Sequence, residues 1–109
     1  MGAGDTMEIF FERLNAGDRE GAVALIDERA VMGVYAGGEP RQLRGSESIG
    51  GWFLRADKGL RMIPGEVRDM GATLTCDILV LRPGAPSHYL DATFRVEAGK
   101  ITAINLTPR

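Results

Sequence analysis

Two successive runs in the second half of the chain alternate apolar and polar side chains. Ala72, Leu74, Cys76, Ile78 and Val80 share one parity and Thr73, Thr75 and Asp77 the other; His88, Leu90, Ala92, Phe94 and Val96 then oppose Tyr89, Asp91, Thr93 and Arg95. A period of two sends alternate side chains to opposite faces of a strand, so these runs require a sheet with one buried face. Gly71, Arg82-Pro83-Gly84-Ala85-Pro86 and Ala98-Gly99-Lys100 provide turns around them. With strands from Leu60 to Met70, bent at Pro64-Gly65, and from Ile101 to Thr107, the second half reads as an antiparallel meander.

A one-sided sheet must be covered, and the first half supplies helices. Asp5 and Glu8 are spaced as a capping box, and Met7, Phe10, Phe11 and Leu14 recur as one apolar stripe that Asn15-Ala16-Gly17 ends. Asp18 caps a shorter predicted helix burying Ala22, Leu25 and Ile26. Val31 to Tyr35 then reads as a strand, turned at Ala36-Gly37-Gly38-Glu39 into a short return near Gln42-Leu43-Arg44. Ser46 is placed to cap a third helix whose Ile49, Trp52, Phe53 and Ala56 share a face, weakened by Gly50 and Gly51. Helices first and strands last give an α+β class: a curved antiparallel sheet wrapped around three helices, enclosing a cone-shaped cavity.

Length and charge narrow the function classes. The 109 residues suit one domain, 1–109. The 13 basic and 15 acidic side chains are scattered with no basic block, which argues against nucleic acid as a partner. Cys76, the single cysteine, has no internal partner, and no basic start leads into an apolar stretch with a cleavage site. The expectation is a cytoplasmic protein without membrane association. A lone histidine with no carboxylate cluster beside it predicts no metal site, and nothing in the sequence calls for a cofactor.

The run Phe11-Glu12-Arg13-Leu14-Asn15-Ala16-Gly17-Asp18, followed by Ala22-Val23-Ala24-Leu25, resembles the first helix pair of ketosteroid isomerases and SnoaL-like polyketide cyclases, members of the NTF2-like superfamily. Gly45 leading into Ser46-Glu47-Ser48-Ile49, and Phe94-Arg95-Val96-Glu97-Ala98-Gly99-Lys100-Ile101, resemble the third-helix start and last hairpin of the same families. The resemblance covers nearly the whole chain and implies their fold. That fold hosts isomerases, cyclases, epoxide hydrolases and non-catalytic subunits, so the function must come from individual positions.

Ketosteroid isomerases use an aspartate base beside an oxyanion hole of a tyrosine and a protonated aspartate. Aligned through Asn15-Ala16-Gly17-Asp18, the tyrosine falls on Phe10, the base near Gly33 between Met32 and Val34, and the remaining acid on Ala92, one residue from Asp91. No residue at these positions can move a proton. An epoxide-hydrolase pattern, arginine two residues before aspartate, would need arginine at Thr75 to accompany Asp77.

What remains is a pocket expected to be lined by Phe10, Leu14, Tyr35, Trp52, Phe53, Ala92 and Phe94 and to hold a small, largely apolar organic molecule. His88, on the inward parity near the Pro83 to Pro86 loop, is a candidate base, with Asp91 and Asp77 as weaker candidates on the outward parity. Tyr35 shares the parity of Gly33 and is expected to look inward. The outward face, with Leu79, Tyr89 and Thr93, is mixed enough to pair two copies into a homodimer. Two readings follow: a cyclase- or isomerase-like enzyme using a different base, or a non-catalytic carrier or interaction subunit.

Overall fold

The computed structural model describes residues 2–36, 38–53 and 61–108. Helix α1 spans Ala3–Asn15 and α2 Arg19–Val23; strands β1, Ile26–Ala36, and β2, Glu39–Arg44, follow. Helix α3, Ser46–Phe53, precedes β3 (Arg61–Pro64), β4 (Arg68–Asp69), β5 (Leu74–Leu81), β6 (His88–Glu97) and β7 (Lys100–Pro108). The expectations for Gly37, Ala56 and Leu60 lie outside the described residues.

Helix α1 starts earlier than the spacing of Asp5 and Glu8 suggests. Gly2 is its cap, and Asp5, in the first turn, reaches back to accept from the Gly2 N–H at 3.1 Å. Its far end closes as a Schellman turn: Gly17, at φ 74°, donates to Leu14 O at 3.0 Å, and Asp18 N donates to Arg13 O at 2.9 Å. Asp18 then accepts from Gly21 N at 2.9 Å and so begins α2. In α3 it is the Gly45 carbonyl that receives the first helical bond, from Ile49 N at 3.1 Å, so Ser46 is the first helical residue rather than the cap.

The strands form one seven-stranded curved, unclosed sheet in the order β2-β1-β7-β6-β5-β3, with β4 also on β5. The meander β5-β6-β7 is antiparallel, as its alternation implies, but β1 and β7 run parallel, so the sheet is mixed. Ile26, expected at the end of α2, is instead the first residue of β1, where it pairs with Ile101; Ile101 N donates to Leu25 O at 2.8 Å. Pro64 ends β3 and splits the long edge segment into β3 and β4, both lying along β5. An irregularity between Arg95 and Val96 leaves Thr102 as an extra residue in β7. This bulge lets both Ile101 and Ile104 face the core, which strict alternation would forbid.

Helix α1 lies against the inner face. Phe10, Phe11, Phe53 and Phe94 form a chain of edge-to-face contacts, with ring centroids 5.3 Å apart for Phe10 and Phe53, 5.5 Å for Phe10 and Phe11, and 5.8 Å for Phe11 and Phe94. Gly50 is buried, and a Cβ there would stand 2.3 Å from Val23 Cγ2. The glycine that weakens α3 as a helix is what lets it close on α2.

Candidate functional site

The residues expected to line the pocket divide into two groups. Phe10, Leu14, Phe53, Ala92 and Phe94 all belong to the core, with Trp52 half-buried and packed edge-on to Phe53 at 5.2 Å. Tyr35 does not join them: it is 50% exposed, because the buried parity of β1 is Ala30, Met32 and Val34, which sends Gly33 and Tyr35 to the outer face. The family alignment near Gly33 placed the inward parity one residue off.

The candidate acid–base residues also stand apart from the interior. His88 pairs with Val80 and so has the inward parity, yet it is exposed. Asp77 and Asp91 sit directly opposite one another across β5 and β6, on the outer face. Thr75 lies on that same face, so the epoxide-hydrolase arrangement, Asp77 turned inward beside an arginine, does not form.

Among the described residues the buried interior holds no carboxylate, imidazole or amine. Its two polar groups are the Cys76 thiol and the Thr6 hydroxyl. Burial, with the nearby Asp77 charge, pushes the thiol up to about 11, so it remains protonated and a poor nucleophile at neutral pH. Thr6 is fully buried in α1, and its Oγ1 has no hydrogen-bond partner among the described residues.

A groove of about 620 Å3 runs along the other flank of α1, where β3 bends away into β4. Its floor is made by Met7 and Phe11, both core side chains, and its far wall by Pro64, Gly65 and Val67. Helical periodicity aligns Asp5, Glu8 and Glu12 along the rim on the α1 side. Asn15 closes one end: its Nδ2 donates to Met62 O and its Oδ1 accepts from Met62 N, both at 2.9 Å. The bend has its own anchor in Gly65 N, which donates to Asp77 O at 2.7 Å.

The sequence reading did not single out this groove. Two signals were present in it: Glu8 and Glu12 one helical turn apart beside the Met7 and Phe11 stripe, and the Pro64-Gly65 bend that opens the facing wall. Their meeting depends on β3 lying at the sheet edge, which spacing alone does not reveal. Among the described residues no group of histidine, cysteine, aspartate or glutamate side chains converges as a metal site, and no helix is long and apolar enough to cross a membrane.

No protein-family model matches the sequence, and no curated protein matches it. Solved structures do. An NTF2-like protein of unknown function from Cytophaga hutchinsonii aligns with a TM-score of 0.80 at 15% identity, over 100% of this chain and 91% of that one. A proposed polyketide cyclase from Sinorhizobium meliloti gives 0.79 at 19% identity over 94% of each chain. An epoxide hydrolase of Mycobacterium tuberculosis, described as LEH-like, gives 0.77 at 16% identity, over 96% of this chain and 80% of that one. At such identities the likeness is one of architecture, and this chain has the NTF2-like fold.

Proposed function

We propose that this protein binds a small, largely apolar organic molecule at the inner side of its curved sheet, reached along the groove between α1 and the β3–β4 bend. The observation that carries this reading is the groove floor: Met7 and Phe11 are core side chains, yet they line an opening of about 620 Å3, within the usual size of small-molecule sites. The relatives in fold support it, since one is described as a proposed polyketide cyclase and another as an LEH-like epoxide hydrolase.

The binding is not accompanied by the proton transfer of ketosteroid isomerases. Phe10, Met32, Val34 and Ala92 occupy the inward positions where that chemistry would sit, and none of them titrates. A cyclase- or isomerase-like reaction here would need a base carried by the ligand or by the groove rim. A homodimer through the outer face of β5 and β6 belongs to the same reading, as does a cytoplasmic location, which suits a buried, unpaired Cys76.

One observation favours the alternative of a non-catalytic interaction subunit: the edge-to-face contacts of Phe10, Phe11, Phe53 and Phe94 fill the interior with the protein's own rings. A thermal-shift screen against cyclic ketones, steroids, lactones, epoxides and aromatic polyketide fragments separates the two. A ligand at about 100 times its Kd stabilises by roughly 2.7 kcal/mol, and each kcal/mol moves Tm by about 4–8 °C at this size. A hit that Met7→Ala abolishes supports the groove. No shift with any class transfers the assignment to the interaction subunit.

A further inference from the structure

Resting on the homodimer reading, we infer how two copies of this chain meet: outer face to outer face with their strands running in opposite directions, Tyr35 of each copy seated in the hollow beside the partner's Gly33 and Arg95 of each set against the partner's Asp91. The register of the sheet carries this. Gly33, Asn105, Thr93 and Thr75 pair in succession and form one row across the outer faces of β1, β7, β6 and β5. Two residues to one side of that row, about 7 Å along the strands, stand Val31, Ala103 and Arg95; two residues to the other side stand Tyr35, Thr107 and Asp91.

The two sides differ in shape and in charge. Val31, Gly33, Gln42, Ala103 and Asn105 border a hollow of about 390 Å3, whereas Tyr35, further along the same strand as Gly33, is half exposed. A Cβ on Gly33 would stand 2.6 Å from Asn105 Oδ1, so a side chain there would displace the amide and fill the hollow. Arg95 is exposed on the hollow side; Asp91, opposite Asp77, is on the side of Tyr35.

A two-fold contact is self-complementary: residue i meets j, and j meets i. An axis laid in the plane of the face along the Gly33 to Thr75 row reverses strand direction, which puts Tyr35 over the partner's Val31 and Arg95 over the partner's Asp91. An axis laid along the strands would keep each row level with its own copy and bring Asp77 and Asp91 of both chains together, which like-charge repulsion opposes. The charge pattern therefore selects the axis that crosses the strands. β5 and β6 still lie over β5 and β6, so Leu79 and Tyr89 stay on the contact face. A projection with its hollow, and a cation with its anion, each equally far from one row, fit a second copy of this chain better than an unrelated partner.

Sedimentation equilibrium of the full chain with two charge reversals tests this. Asp91→Arg and Arg95→Asp, both at exposed positions, should each weaken self-association about tenfold or more, because like charges then face each other across the axis. Mixed in equal amounts, the two variants should regain the parental affinity, since every acid of one chain again meets an arginine of the other. Tyr35→Ala should weaken the dimer about tenfold as well. Circular dichroism confirms that each variant is folded. A monomeric parent protein overturns the homodimer reading and this inference with it. A dimer that both reversals leave intact overturns the register alone, as does a mixture no tighter than either variant by itself.

Discussion

The side-chain amide of Asn15 behaves as an extra strand residue toward Met62, giving one hydrogen bond to its carbonyl and taking one from its N–H, both at 2.9 Å. β3 is the edge of the sheet, and this contact ties the last turn of α1 to it. Asn15→Ala should cost about 1–3 kcal/mol, because both backbone groups of a part-buried residue lose their partner together. Urea unfolding measures it. A variant as stable as the parent would mean that water replaces the amide without loss, and that the edge is held by the β5 pairing alone.

Gly50→Ala brings two effects into opposition. Alanine improves helix propensity by about 1 kcal/mol, but its Cβ would lie 2.3 Å from Val23 Cγ2, on a side chain stiff about χ1. Overpacking of this kind costs about 1–3 kcal/mol, so a net loss is expected. Gly50→Ala combined with Val23→Ala should recover part of it. A single variant more stable than the parent would show that α2 and α3 can move apart freely.

The architecture was legible because it rests on local pattern. The alternation at Leu74 to Val80 and at Ala92 to Phe94 assigns the buried face of two strands, and the stripe Met7, Phe10, Phe11 and Leu14 assigns the buried face of α1. What was not legible depends on pairing between distant segments. The inward parity of β1 follows from its parallel partnership with β7, and it puts Met32 and Val34 inside and Tyr35 outside. His88 has the inward parity yet is exposed at the start of β6, which alternation by itself does not show. The groove needs α1, at the start of the chain, to meet a bend some fifty residues later; no window of sequence contains both of its walls.

Thr6→Val should raise Tm. The hydroxyl is buried without a partner, and the obvious acceptor one turn back, Gly2 O, already receives Asp5 N at 3.1 Å and Thr6 N at 3.3 Å. An unsatisfied buried hydroxyl costs about 1–3 kcal/mol, and valine removes it while keeping the branched shape. Differential scanning calorimetry without ligand is the check. A fall in Tm would mean that the hydroxyl has a bound water as its partner in solution.

Cys76 should make the protein sensitive to alkali while resisting alkylation. Its folded thiol titrates at about 11 against 9.0 for the free group, from burial first and the Asp77 charge second. Above pH 9.0 the unfolded chain releases this proton before the folded one does, so folding stability falls between pH 9.0 and about 11. Below that window the group contributes no pH dependence. Cys76→Ala should flatten this part of the stability profile, and iodoacetamide at pH 8 should label the native protein far more slowly than the unfolded chain. Equal labelling rates would place the thiol at the surface.

The outer face of β5 and β6 carries Leu79 opposite Tyr89, the latter 48% exposed, beside Thr75 opposite Thr93 and the facing carboxylates Asp77 and Asp91. If two copies pair here, the aromatic and aliphatic side chains supply the contact, and sedimentation equilibrium should show a dimer. Leu79→Glu adds another negative charge at the centre of the face while leaving the core untouched, so the far-ultraviolet dichroism should be unchanged and the dimer weakened by tenfold or more, roughly 1.4 kcal/mol. A parent protein that stays monomeric throughout the concentration series removes the dimer from the proposed function. A dimer indifferent to Leu79→Glu moves the interface to another surface of the fold.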